Sequence, residues 1–297
     1  GKNIVITTNN DSVYQTAIEL HEAGSKVTVL DSRKNTNINL PKEIELHLET
    51  LPFSINGRKK IDSLDVCKAS DKKNKNTIIC DQVLVSGGWS PIVNLVSHRG
   101  IKPVWNEDNL CFVPGEIKEN ITVVGSARGI WNSDDCIKSG IVGANEAMNT
   151  LGVQKKEIAF PSIGGWSNPI DALFEVKSNK FPSKSFIDFQ HDVTAEDVRL
   201  AHREGFVSVE HLKRYTTLGM ANDQGKMGNV IGLSLMAEQL DKTIPEVGTT
   251  VFRPPYTPVP IGALTGRNVD KHFRPLRVTP MHQWNIDHGA KMIDVGL

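Results

Sequence analysis

Residues 2–31 read KNIVITTNNDSVYQTAIELHEAGSKVTVLD, and the changes of character within that stretch decide the fold class. A β-branched run, KNIVITT, is followed by Asn9, Asn10, Asp11 and Ser12, residue types that open helices, and Gly24 supplies a stop. Between them Val13, Ala17, Ile18 and Leu20 fall near helical spacing. SKVTVLD then reads as a second strand closed by Asp31. The succession is a β-α-β unit of an α/β chain, with an acidic residue closing its second strand as in one half of a dinucleotide-binding domain. The phosphate loop of such a unit needs glycines for its tight turn and for close backbone approach. Thr8, Asn10 and Val13 stand at those positions, and their side chains block the approach. The unit is therefore expected to be structural, and Asp31 is not expected to meet a ribose.

Working outward, residues 44–70 alternate as strands do, and DKKNKNT (71–77) reads as a polar hairpin turn. TIICDQVLVSGGWSP (77–91) returns to a buried strand and breaks at Gly87-Gly88. A three-strand insertion followed by a return strand resembles the flavoprotein reductases built from two dinucleotide-binding domains, where the chain leaves the second domain and re-enters the first. On that resemblance residues 1–82 form the second dinucleotide-binding-like domain and 83–150 the return segment of the first. Residues 120–148 give a strand ending on Val123, Val124 and Gly125, a glycine loop, and a helix whose Gly140, Gly143, Ala144 and Ala147 permit close packing. In the reductases an acid follows the strand-end glycine and touches the flavin; here Ser126 takes that place. Backbone N–H groups at a helix start still suit a phosphate.

Composition narrows the function classes. The chain has 297 residues, 39% hydrophobic and 23% charged, with 34 basic and 34 acidic side chains. A zero net charge gives no support to nucleic-acid binding. No apolar run is long enough to span a membrane, and GKNIVITTNNDS is no signal peptide. Cys67, Cys80, Cys111 and Cys136 are widely spaced without a C-x-x-C pair, so reduced thiols of a cytoplasmic protein are expected and a zinc or iron–sulfur site is not. His98, His191, His202, His211 and His282 show no spacing that specifies a metal. The chain opens directly on a strand and stops at KMIDVGL as another begins, so it is expected to be a piece of a longer polypeptide.

Residues 151–184 are rich in Gly, Pro, Ser and Asn and read as a linker or arm, with Trp166 in need of burial. The character changes over 185–244. One helix opens at Thr194 with Asp197 as a near capping box, a second is capped by Ser208, and NVIGLSLMAEQL (229–240) is a third. Residues 245–273 are proline-rich and read as an extended strap, and 274–297 open something new.

The stretch from Asp188 through TTLGMANDQGKMGN (216–229) resembles the small 2Fe–2S module of bacterioferritin-associated ferredoxin and related amine-dehydrogenase subunits. Four thiolates, in one C-x-C and one C-x-x-x-x-C pair, hold such a cluster. The matching positions here are Asp188 and Gln190, then Asp223 and Gly228, so no cluster can bind. This cysteine-less module, followed by TTVFRPPYTPVPIGALTGR (249–267) and RPLRVTPMHQWNIDHGA (274–290), resembles the alpha subunits of the heterotetrameric sarcosine oxidases across the whole chain.

The resemblance implies a fold, partners and cofactors. The fold is α/β, a reductase-like region with two dinucleotide-binding domains, then a three-helix module lacking its cysteines, the strap, and from Arg274 the start of an aminomethyltransferase-like folate domain. The complex would join this chain to beta, gamma and delta subunits. It would oxidise the small molecule sarcosine to glycine at FAD held by the beta subunit. Electrons would pass to FMN at the alpha–beta interface and then to oxygen, giving hydrogen peroxide. The one-carbon unit would go to tetrahydrofolate in the C-terminal domain, or leave as formaldehyde. NAD would be held in part by Gly125, Ser126, Ala127, Arg128, Trp131 and Ser133. No residue of this chain would oxidise substrate.

The glycine loop carries chemistry that suits an FMN contact. Lys213, Arg214 and Lys226 supply positive charge, Thr216 and Thr217 hydroxyls, and Gln224 an amide, while Gly219 and Gly225 allow close backbone approach. Two alternatives stay open: the alpha chain of a related amine or proline dehydrogenase, and a non-catalytic assembly scaffold.

Overall fold

The computed structural model describes all residues except 118–119, 155–157, 161, 165–168, 178–183, 253, 273–275 and 294–297. Trp166 and Arg274 lie outside the described residues. The chain divides into two compact units, Gly1–Tyr256 and Thr257–Leu297.

The opening stretch folds as its pattern dictates. Strand β1 (Asn3–Thr8) leads through a 3-10 turn (Asp11–Val13) into helix α1 (Tyr14–Glu22) and then β2 (Lys26–Asp31). β1 and β2 pair in parallel from Asn3↔Lys26 to Thr8↔Asp31. Short β3 (Glu45–His47) joins the far side of β2, and β7 (Gln82–Ser86) the far side of β1, giving a four-stranded parallel sheet ordered β3-β2-β1-β7. Alternate side chains of a strand leave opposite faces, so the two faces carry separate cores. Ile4, Ile6, Val27 and Val29 pack on Val13, Tyr14 and Ala17 of the helical side. Val5 and Leu30 pack instead on Leu64, Val66 and Cys80. Leu64 and Val66 belong to an antiparallel sheet of β4 (Thr50–Gly57), β5 (Ile61–Lys68) and β6 (Asp71–Ile79). The first segment is thus layered as helix, parallel sheet and antiparallel sheet.

One sequence reading is corrected here. DKKNKNT is not a turn: it lies within β6, and the chain reverses at Ala69 and Ser70. β6 is an edge strand bonded on one side only, and lysines are the usual guard of such an edge. β7, which begins at the expected boundary at 82, hydrogen-bonds to β1 throughout.

After β7 come a short helix α2 (Asn94–Ser97) and a hairpin of β8 (Val104–Asn106) and β9 (Cys111–Val113). Residues 121–124, expected as a strand, pair with no strand among the described residues. A strand is completed only by a partner edge, which local pattern does not supply. Helix α3 (Ser133–Thr150) follows, with Asn132 capping the Asp135 amide. Of its small residues, only Gly143 is buried: a Cβ there would sit 2.6 Å from Val124 Cγ1.

The helical module opens with an unanticipated hairpin, β10 (Phe186–Asp188) against β11 (Val193–Thr194). Helices α4 (Ala195–Arg203), α5 (Val209–Thr216) and α6 (Asn229–Leu240) then close on a core of Val198, Ala201, Leu212, Leu218, Leu233 and Met236. The Thr194–Asp197 capping box forms in full, whereas Ser208 precedes α5 without a side-chain cap bond. The strap is not wholly extended: it holds short helical turns α7 (Ile244–Val247) and α8 (Ile261–Leu264), and a 3-10 turn at Asp270–His272. In the second unit α9 (His282–Asp287) ends with His288 stacked on Trp284, ring centroids 3.9 Å apart.

Gly228 precedes α6 where a Cβ would lie 2.6 Å from the Ile187 carbonyl oxygen. Gly228→Ala must push α6 off β10 and is expected to cost about 1–3 kcal/mol, read from the urea unfolding midpoint.

Candidate functional site

Ligands of open parallel sheets bind beyond the carboxyl ends of the strands. At that edge β1 is followed by Asn9 and Asn10. Asn10 is fully buried, and its side-chain oxygen accepts from Ser12 N at 3.0 Å, an amide that a phosphate would otherwise use. Its Nδ2 donates to Asn9 Oδ1 (2.9 Å) and Ser86 O (3.2 Å). The loop is therefore filled by its own side chains. Asp31, likewise fully buried, accepts from Tyr14 Oη at 2.7 Å and from the Arg33 guanidinium, with Nη2 at 2.6 Å. The same Nη2 reaches Asp11 Oδ1 at 2.6 Å. Burial, reinforced by the bond to Asp31, pushes the Tyr14 hydroxyl well above its ordinary pKa. Both Asp31 oxygens are thus engaged within the chain. Tyr14 and Arg33 were missed in the sequence, although Arg33 follows Asp31 by two residues.

The second place is the glycine loop after Val124. Gly125 has a φ of 62° and starts a 3-10 turn, Gly125–Arg128, that Gly129 closes in the left-handed region. Gly125 N donates to Ser139 Oγ of α3 at 3.2 Å, which holds the loop on the helix. The first N–H groups of such a turn have no acceptor within it and can face an anion. Trp131 packs near Trp89, ring centroids 6.3 Å apart, and Ser133 begins α3. Gly125, Ser126, Ala127, Arg128, Trp131 and Ser133 thus share one loop and helix start.

The third place is the loop 216–229. Thr217 (φ 63°) ends α5, and Gly219, Gln224 and Gly225 also have positive φ. The close approach that the glycines permit is used internally. A Cβ on Gly219 or on Gly225 would lie 2.4 or 2.1 Å from Asn229 Oδ1, so the Asn229 side chain fills the middle of the loop. Asp188 supports it: Oδ2 accepts from Gly219 N (3.0 Å), and Oδ1 from Gln190 N (2.9 Å) and His191 N (3.0 Å). Gln190 Oε1 accepts from Asn222 N at 3.1 Å. Asp188 and Gln190 thus hold the loop by hydrogen bonds. Burial alone would raise the Asp188 carboxyl, but the amides of Gly219, His191 and Gln190 hold it below the usual carboxylate range. Asp223 Oδ1 is buried without a partner among the described residues.

The candidate donors of this loop are largely engaged. Thr216 Oγ1 donates to Leu212 O (2.8 Å), Thr217 Oγ1 to Thr216 O (2.6 Å) and Gln224 Nε2 to Ala221 O (3.0 Å). Lys226 Nζ donates to Tyr256 O (2.9 Å) and lies 4.1 Å from the Tyr256 ring centroid. Lys213 Nζ reaches Val251 O at 3.4 Å, and Glu210 Oε1 accepts from Val251 N at 2.6 Å. α5 and the loop therefore grip the strap at Val251 and Tyr256. Around them Phe189 (71% exposed), Met227 (71%), Met220 (49%) and Tyr215 (45%) are open to solvent.

The cysteines are free, and burial pushes the Cys111 thiol up to about 12, so it stays protonated and inert at neutral pH. Among the described residues no cluster of His, Cys, Asp and Glu could hold a metal ion. No described helix is long and apolar enough to cross a membrane.

Residues 182–267 match the sarcosine oxidase A3 domain. The sarcosine oxidase subunit alpha of Rhizobium meliloti (strain 1021) is 37% identical over 302 residues, spanning 100% of this chain and 30% of the relative. Over its whole length the chain is similar to sarcosine oxidase alpha subunits. That of Corynebacterium sp. (strain P-1) is 31% identical over 311 residues, again 100% of this chain and 32% of the relative. The chain thus spans less than a third of the length of these sarcosine oxidase subunits. Among solved structures, L-proline dehydrogenase from P. horikoshii shares the fold with a TM-score of 0.62 at 17% identity, over 89% of this chain and 50% of that one.

Two outcomes follow from the ionic contacts. Arg33→Met takes the counter-charge from the fully buried Asp31 carboxylate and is expected to cost about 3–5 kcal/mol by urea unfolding. The folded-state pKa of Asp188 is depressed, so its stabilisation is full above the unfolded value of about 4 and is lost as pH falls through the folded value. The melting temperature of Asp188→Asn, lower at neutral pH, should therefore fall less than that of the parent between about pH 5 and pH 3.

Proposed function

We propose that this chain is part of a sarcosine oxidase alpha subunit, serving cofactor binding and assembly rather than substrate oxidation. Full-length similarity to two sarcosine oxidase subunits supports the reading. The parent complex would oxidise sarcosine to glycine, yielding hydrogen peroxide with formaldehyde or 5,10-methylenetetrahydrofolate. Beta, gamma and delta subunits would complete it, with FAD in beta and tetrahydrofolate bound beyond Arg274.

Two surfaces of this chain would carry its share. The loop Gly125–Arg128, with Trp131 and Ser133, would hold part of NAD: the amides at the head of the turn would face a phosphate, and exposed Arg128 would add charge. Gly125 leaves room at the turn, although Ser126 offers no carboxylate to a ribose. The surface over Lys213, Thr216, Thr217, Gln224, Gly225 and Lys226 would be the FMN interface. The observation that carries this is the cluster of exposed aromatic and methionine side chains beside these cations, a composition typical of interface cores. FMN would supply one- and two-electron transfer when bound. Exposed Thr217 and Lys226 would orient its phosphate, with Lys226 exchanging Tyr256 O for the anion.

A second reading is favoured by the same loop. Its side chains are satisfied within the chain, and a loop so closed can act as a structural clasp on the strap. The two readings separate on one measurement. In the intact complex, Lys226→Ala with Thr217→Ala is expected to reduce the FMN-to-FAD ratio by about half or more, while FAD stays in place. An unchanged ratio would establish the clasp.

A further inference from the structure

The crevice at the carboxyl ends of β1 and β2 is not empty: the arm that follows α3 lies in it. Asp171 N donates to Asn9 O at 3.0 Å, and Asn9 Nδ2 donates to Asp171 O at 2.7 Å. Asn9 is 4% exposed, so this pairing is made by a residue with no water to turn to. Arg33 Nη1 donates to Pro169 O at 2.8 Å, while Nε and Nη2 stay on Asp31 and Asp11. The side chain of Ile170 enters the space that Gly88 leaves open, where a Cβ would sit 2.5 Å from Ile170 Cδ1. Three consecutive residues of the arm are each met by a matching feature: a guanidinium, a glycine gap and a paired amide.

We propose that this crevice is a peptide dock whose occupant is the chain's own Pro169–Asp171, and that it takes no nucleotide. Extended backbone offers one N–H and one C=O per residue, and the dock satisfies both at Asp171. A nucleotide phosphate would need the amide that Asn10 holds, and a ribose the carboxylate that Arg33 and Tyr14 hold. The pocket left beside the arm, about 520 Å³, is lined by Asp11, Glu49 and Asp171 against Lys34 and the paired Arg33, a balance that repels polyphosphate.

The dock has a structural purpose. Upstream, Ser162 Oγ and Ile163 N bond to Asp134 at the start of α3. Downstream, Glu175 pairs with Arg199 of α4, and Lys177 with Glu238 of α6. Described residues of the arm thus bond in turn to α3, to the dock and to the helical module. A crevice of nucleotide-binding shape fixes the strut that sets that module against the sheets.

Hydrogen exchange on the full chain tests this. Asn9→Ala with Ile170→Gly should speed exchange over 169–177 about tenfold while β1 and β2 exchange as in the parent. Equal exchange over 169–177 in parent and variant would overturn the dock. In the parent, millimolar ADP should leave residues 8–13 and 169–177 unchanged. Saturable protection of 8–13 with release of 169–171 would instead make the crevice a nucleotide site with a displaceable cover. That titration decides the matter even where the variant loses its sheet. Its readout lies away from residues 125–133, so it stands apart from any NAD bound there.

Discussion

The guanidinium of Arg33, enclosed by Asp31 and Asp11 and only 5% exposed, is the contact on which the arrangement of the first unit turns. A buried charge is costly unless every donor and counter-charge is met. Here the requirement is met by four separate pieces of chain: the end of β2, the 3-10 turn before α1, the Tyr14 hydroxyl on Asp31, and the carbonyl of Pro169. Each piece is held because the charge would otherwise be stranded. The same economy explains the absence of a phosphate loop. Where a nucleotide-binding unit keeps its amides and its acidic residue vacant for a ligand, this unit turns them on itself through Asn10 and Arg33.

The helical module repeats the theme with different chemistry. Asp188 and Gln190 hold its glycine loop by hydrogen bonds from the amides of Gly219, Gln190, His191 and Asn222. Asn229 takes the space at the centre. Such a loop needs no metal to keep its shape, because carboxylate-to-amide bonds are among the stronger hydrogen bonds available. The cation of Lys226 and the ring of Tyr256 then fasten the strap to it.

Local rules were read well where one element decides its own form. KNIVITT, the helix start at Asp11 and the Thr194–Asp197 box each formed as the sequence indicates. DKKNKNT misled because polarity marks both turns and exposed edge strands, and only the partner β5 tells them apart. Residues 121–124 misled in the opposite sense: a β-branched run is a strand only if an edge receives it. At the candidate sites, the residue types were visible but their engagement was not. Thr216, Gln224 and Lys226 read as free donors, and each proves to have an acceptor in the chain.

By itself the sequence determined the β-α-β opening and the capped start of α4, because spacing and capping act within a few residues. Tertiary structure alone decided which groups those elements spend on one another. Arg33 meets Pro169 across 136 positions, Asn9 meets Asp171 across 162, and Lys226 meets Tyr256 across 30. No local pattern records such pairings, since each follows from the need of a buried polar group for a partner wherever the fold brings one.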